Sequence, residues 1–328
     1  MEKVIIFSIF SFLFSLIGTK YLKEYLERKK VFDIPNERSS HTKPMPKGGG
    51  WIIVIFLMIL LLPPIHAYGR GFSEPHWTDS FLYIHVPITI LGLAILSWLA
   101  DIKNISPFIR LFFQFFIIFY LLTAGKLTND AITYLDVIMS SLVIVWFINI
   151  FNFMDGIDGI TPSVAITILA GYLIASSDII SFDIYSIIFC CLGLLFWNWH
   201  PAKIFLGDVG SVILGFICIL FLITLAYDGQ WGWAISLPMY YILDTSITLI
   251  NRFIDGKKIW QAHNEHFYQK AVQSGMNHSQ VVKLIIALQI LIITTCYFIE
   301  NPYLVVFLAF LQCTGLIIYF SSKYKKST

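Results

Sequence analysis

The sequence predicts an all-α integral membrane protein, a polytopic bundle of about eleven transmembrane helices with an active-site cleft at its cytoplasmic face. Three observations predict it. Of 328 residues, 57% are hydrophobic and 13% charged, where a soluble domain carries roughly 25% charged. Apolar runs near 4–18, 49–68, 81–99, 108–124, 131–151, 160–176, 182–199, 209–226, 231–250, 280–298 and 302–321 each approach the roughly 20 residues that cross hydrocarbon as helix. Alternating the connections between two sides puts 18 Lys and Arg with segment 19–50 and the C-terminal tail, against Lys3, Arg70 and Lys126 opposite. Positively charged loops stay in the cytoplasm, so the N-terminus is expected outside and the C-terminus inside. The net charge of +2 is then a topology signal, with no claim on nucleic acid.

The first run follows only Met1-Glu2-Lys3 and lacks a small-residue cleavage site, which predicts a retained span. Residues 19–30 continue it with Tyr21, Leu22, Tyr25 and Leu26 on one side, a helix leaning along the membrane surface. The pattern breaks over 33–50, a basic stretch interrupted by prolines and ending in Gly48-Gly49-Gly50. Such backbone is extended and can approach a ligand closely, and helix-start amides after the triplet can meet an anion. Topology alone would also explain the basic residues. Asn36, Arg38, His41, Lys47 and Gly48 are the substrate-binding candidates there.

After the third run, Asp101 closes one helix, and Arg110 and Gln114 share a face of the next. Arg110 is either a substrate contact or a snorkelling side chain. The fifth and sixth runs are joined by Asn149-Ile-Phe-Asn-Phe-Met-Asp-Gly-Ile-Asp-Gly159, an expensive place for carboxylates. Asp155 and Asp158, three apart, are expected to face one way across a helical turn and offer oxygen to a hard cation. The seventh connection, 197–211, holds Asn198, Phe205, Gly207, Asp208 and Gly210. Asp208 stands where a helix cap would, Phe205 can stack on a planar base, and the glycines leave room for a diphosphate and a cation.

Run 231–250 is read as one span, with Asp244 an ionisable group inside it. The connection 251–279 carries His263 and His266. Their spacing suggests zinc, but with no HExxH pattern or thiolate nearby, phosphate or sugar contacts fit better. The five cysteines lie within the runs and are expected to be inert packing residues. The opposite face has short loops without recurring chemistry, and no soluble domain, low-complexity segment or internal repeat is evident. Residues 1–328 therefore read as a single membrane-embedded domain.

Carboxylates, basic residues and glycines from several helix ends at one membrane surface suggest a site for a phosphorylated soluble molecule and a lipid. Carboxylates alone would repel a diphosphate, so a divalent cation is implied. Magnesium suits such oxygens best, with manganese as a substitute. A phosphate monoester acceptor has its second pKa near 6 and is largely ionised at neutral pH, so a strong base is optional.

Three motifs carry a resemblance: Asp33-x-Pro-Asn-x-Arg-Ser-x-His-x-x-Pro-x-Pro-x-Gly-Gly, Asn152-Phe-Met-Asp-Gly-Ile-Asp-Gly159 and Phe205-Leu-Gly-Asp-Val-Gly-Ser211. In this order the chain resembles the polyprenyl-phosphate N-acetylhexosamine-1-phosphate transferases, glycosyltransferase family 4, over nearly its whole length. The resemblance implies transfer of a sugar-1-phosphate from a UDP-N-acetyl sugar to undecaprenyl phosphate at the cytoplasmic face of a bacterial inner membrane, with release of UMP. It implies Asp208 as magnesium ligand, Asn198 and Phe205 near the uridine, and Asn152, Asp155 and Asp158 around nucleotide and metal, Asp155 a second candidate ligand. It also implies Asp101 near the acceptor phosphate and His263 and His266 in a loop touching diphosphate or sugar. A homodimer is left open.

Two departures stand out. Ala100 replaces the first aspartate of the family's pair, leaving Asp101 as the candidate base. The histidine loop, with Asp244, Tyr268 and Gln269, is closer to the branch that starts O-antigen chains than to the peptidoglycan enzymes. The alternatives are a peptidoglycan-precursor or teichoic-acid-initiating member and an inactive relative that only binds lipid diphosphates. A transporter is the rival from another class, disfavoured because only Asp244 lies well inside a run.

Overall fold

Each of the eleven apolar runs carries a helix in the computed structural model, which describes residues 2–35, 43–62, 84–103, 105–126, 132–176, 182–261 and 263–327. In chain order the helices are α1 (Glu2–Arg28), α2 (Trp51–Leu60), α3 (Val86–Lys103), α4 (Pro107–Lys126), α5 (Tyr134–Phe153), α6 (Ile160–Ala175) and α7 (Phe182–Asn198). There follow α8 (Gly207–Tyr227), α9 (Trp231–Ser236), α10 (Met239–Ile254), α11 (Phe267–Gln273), α12 (His278–Phe298) and α13 (Pro302–Ser327). Among the described residues seven helices are long and apolar enough to cross a membrane, and α2, α6 and α7 are shorter apolar helices. The protein is an all-α polytopic membrane protein.

One expected span is divided. The run 231–250 breaks at Leu237-Pro238 into α9 and α10, because proline has no N–H for the helical ladder and its ring clashes with the preceding turn. The break puts Asp244 in the second turn of α10, wholly buried, with Tyr240, Tyr241, Thr245, Thr248 and Arg252 also buried along that helix.

Helix α8 is the centre of the bundle, packed by α5, α3, α6, α9 and α2. Close approach needs small residues. A Cβ on Gly193 of α7 would lie 2.6 Å from the Phe12 carbonyl of α1, beside buried Ser11 and Ser15. The outer surface carries Ile5, Ile9, Phe112, Phe116, Phe307 and Leu311 exposed, the side chains that lipid would cover. All five cysteines are buried and free, as expected of packing residues.

The only sheet among the described residues is a two-stranded antiparallel ribbon, β1 (Phe32–Asp33) against β2 (Met45–Pro46). It brings the basic segment back over the start of α8. Phe205 N–H donates to the Pro46 carbonyl at 2.8 Å, and the amides of Gly48 and Gly49 donate to Phe205 O at 3.1 and 2.9 Å. Gly50 N–H donates to Leu206 O at 2.9 Å. The glycine triplet is thus explained by backbone contact rather than by anion binding. A Cβ on Gly50 would overlap the backbone of Gly210, and Gly48 has φ +125. Gly48, expected at the substrate, has its amide engaged by protein.

Candidate active site

Helix ends and loops from five parts of the chain surround a cavity of about 210 Å³ lined by Asp33, Lys47, Asn152, Asp155, Gly156, Ile157, Asp158, Asn198, Phe205–Asp208 and Gln269. Six of the expected site residues therefore meet there with Asp208: Lys47, Asn152, Asp155, Asp158, Asn198 and Phe205. Asn36, Arg38 and His41 lie outside the described residues.

Asp208 is the second residue of α8, and its carboxylate faces a guanidinium. Arg110 Nη1 is 2.6 Å from Asp208 Oδ2, while Arg110 Nη2 donates to Asn152 Oδ1 at 3.2 Å. Asn152 Nδ2 in turn donates to Ser211 Oγ at 3.0 Å. Arg110 is thus held at the site, and the snorkelling alternative does not describe it. Gln114, one turn on, is buried and accepts from Asn149 Nδ2 at 2.7 Å, tying α4 to α5.

Asp101 has both oxygens engaged. Lys47 Nζ is 2.7 Å from Oδ1, and Oδ2 accepts the Asp208 N–H at 3.1 Å. The geometry makes Asp101 a support for the start of α8 through the Asp208 amide. Burial opposes the Lys47 charge, but Asp101 and Asp208 outweigh it and hold the ammonium well above the usual lysine range.

Asp155 and Asp158 do not share a helical face. Helix α5 ends at Phe153, α6 starts at Ile160, and the residues between are a turn closed by Gly159 at φ 77. Asp155 is half-buried in the cavity wall; burial pushes its carboxyl up to about 7, with the Asp208 carboxylate adding to the rise. Asp158 turns to other partners. Its Oδ2 lies 2.6 Å from His200 Nδ1 and 3.2 Å from His278 Nδ1, and accepts the Ala202 N–H at 3.2 Å. Burial works against ionisation, but the two imidazoles and the amide prevail and hold the carboxyl below its ordinary range.

Asp158, His200 and His278 are the one group of three potential metal ligands among the described residues, and both imidazoles are engaged with Asp158. Local spacing carries no sign of His200 or His278, which arrive from a separate loop and the first turn of α12. Asn198 sits beside them, accepting from Gly159 N at 3.1 Å and donating to Ile204 O at 3.0 Å. One N–H and one lone pair of that amide remain for a ligand.

The histidine loop is seated through Asp244. His266 Nδ1 lies 3.0 Å from Asp244 Oδ1, which also accepts the Phe267 N–H at 3.1 Å; Oδ2 accepts Tyr240 Oη at 3.0 Å and Tyr268 N–H at 3.2 Å. His266 is buried, and His263 stacks on it with ring centroids 4.8 Å apart. Burial, with His266 and Arg252 nearby, pushes His263 down to about 4. Neither histidine is among the residues lining the cavity.

The donor set suits a hard cation. Asp155 and Asp208 offer carboxylate oxygens at the cavity without thiolate or imidazole, and magnesium is characteristically held by one or two carboxylates together with substrate phosphates.

Comparison with known proteins finds the following similarities. The profile of "Glycosyl transferase family 4" matches residues 83–226. A "Probable undecaprenyl-phosphate N-acetylglucosaminyl 1-phosphate transferase" of Bacillus subtilis (strain 168) is 26% identical over 304 residues, covering 87% of this chain and 82% of its own. An "Undecaprenyl-phosphate alpha-N-acetylglucosaminyl 1-phosphate transferase" of Thermotoga maritima is 26% identical, covering 79% of each chain. A "Phospho-N-acetylmuramoyl-pentapeptide-transferase" of Kosmotoga olearia is 27% identical, covering 76% of this chain and 83% of its own. By profile and relatives together, the chain is similar to glycosyl transferase family 4 and to polyprenyl-phosphate N-acetylglucosaminyl 1-phosphate transferases.

Proposed function

We propose that the protein transfers an N-acetylhexosamine-1-phosphate from a UDP-N-acetyl sugar to undecaprenyl phosphate at the cytoplasmic face of a bacterial inner membrane. The product is the lipid diphosphate sugar that starts an O-antigen or other cell-envelope polysaccharide. The observation that carries the reading is the meeting of Asp155 and Asp208 with Lys47 and Phe205 around a polar cavity.

In the reaction a lipid phosphate oxygen forms a bond to the sugar-bearing phosphorus, and the bond from that phosphorus to the bridging oxygen breaks, so UMP departs with both electrons. The attacking oxygen is already ionised at neutral pH, so no residue has to remove a proton. Asp208 and Asp155 would hold Mg²⁺, or Mn²⁺, which neutralises phosphate charge when bound. Lys47 and Arg110 supply fixed positive charge, Phe205 a face for the uracil, and Asn198 its remaining donor and acceptor. Most of the rate then comes from placement and charge neutralisation.

The test is UMP release by purified protein given undecaprenyl phosphate, Mg²⁺ and a panel of UDP-N-acetyl sugars. Release with one of them supports the proposal and names the donor. Binding without release from any donor would identify an inactive relative instead.

A further inference from the structure

Gln269 is the third residue of α11 and lines the cavity. Its Oε1 accepts the His266 N–H at 3.2 Å, the reciprocal bond of a capping box. Only the oxygen end of a carboxamide can accept that amide, so the orientation is fixed: Nε2 turns the other way. It reaches the Asp155-Gly156 turn, where a Cβ added to Gly156 would lie 2.8 Å from it. Among the described residues Nε2 has no hydrogen-bond partner. An oriented, unused donor therefore faces the cavity.

The helix that carries it is anchored from below. The Asp244 carboxylate, wholly buried, binds the Phe267 and Tyr268 amides and His266. Tyr268 Oη donates to the Phe153 carbonyl at 3.1 Å, fastening the same helix to the Asp155 turn. Gln269 is held at both ends of its helical turn before any ligand arrives.

Charge decides what such a donor recognises. Anionic phosphate oxygens are served by Lys47 and Arg110, on the Asp101 and Asp208 side of the cleft. A neutral carboxamide beside Asp155 matches a neutral acceptor. We propose that Gln269 is a specificity-determining residue whose Nε2–H binds a neutral oxygen, a hydroxyl or the acyl carbonyl, of the hexosamine on the nucleotide donor. This rests on the proposed nucleotide-sugar substrate.

The test compares equilibrium binding of UDP-N-acetylglucosamine and of UDP to protein in nanodiscs, for wild type, Gln269→Met and Gln269→Glu. Methionine keeps the length and removes the donor; glutamate keeps an acceptor for the His266 amide and so preserves the helix start. The added charge of glutamate acts on both ligands, so the readout is the ratio of the two affinities. Loss of one neutral hydrogen bond predicts a ratio shifted about five- to tenfold against the sugar nucleotide in both variants, with UDP binding to Gln269→Met within about twofold of wild type. An unchanged ratio, or equal weakening of UDP in Gln269→Met, would overturn the assignment. UMP release by wild type, measured in parallel, separates this failure from a failure of the transfer reaction itself.

Discussion

Arg110 Nη1 and Asp208 Oδ2 stand 2.6 Å apart, joining the first turn of α4 to the first turn of α8 across 98 positions of sequence. The same guanidinium reaches Asn152 at the end of α5, so one planar side chain sets the spacing of three helix ends. A lysine has a single point charge and cannot make both contacts in that geometry.

We therefore expect Arg110→Lys to lower kcat/KM for transfer by at least about tenfold, with Arg110→Ala no more than another tenfold worse. Steady-state UMP release checks this; a lysine variant with full activity would show that charge alone matters at this position.

The close pass of Gly50 over Gly210 sets a second expectation. Both sides of the contact are backbone, so a methyl group cannot be accommodated by a rotamer change. Gly50→Ala should destabilise the protein by about 1–3 kcal/mol, the usual penalty of overpacking. Thermal unfolding in detergent would register it as a lowered midpoint, and an unchanged midpoint would contradict the packing described.

Acid stability should depend on Asp158. Its carboxyl is held below the ordinary range by His278, His200 and the Ala202 amide acting against burial. The unfolded state therefore takes up this proton first as pH falls. The contribution is fully present above the unfolded pKa of about 4 and is lost as pH drops from there through the folded value. Asp158→Asn is expected to be less stable at neutral pH and to show a shallower loss of stability below about pH 4. Parallel pH profiles for the two proteins would refute this.

Ala100 tests whether the family's missing carboxylate matters here. Asp101 is already engaged by Lys47 and the Asp208 amide, and the proposed acceptor, a phosphate monoester largely ionised at neutral pH, would need no base. Ala100→Asp should change the rate by no more than about threefold, whereas a gain of about an order of magnitude would assign a base to that position.

The membrane architecture was legible because apolar runs of span length are local properties of the chain. The division of one run at Pro238 could have been read from the proline itself. Asp155, Asp208, Asn152 and Phe205 were legible through contiguous motifs. What escaped were pairings between loops far apart in sequence: His200 and His278 on Asp158, Lys47 on Asp101, and the Asp244 carboxylate beneath the histidine loop. Nothing in local spacing encodes which loops meet. The expected cation face of Asp155 and Asp158 failed because Gly156 and Gly159 interrupt the helix that periodicity assumed.

The central claim is that Asp208 holds the transferred group's cation. The most direct measurement is Mg²⁺-dependent UMP release by Asp208→Asn, compared with wild type at equal amounts of folded, membrane-inserted protein. The account expects a loss of at least about a thousandfold, since a ligand that acts on developing charge is removed. Turnover at the wild-type rate, with the same dependence on Mg²⁺, would contradict it.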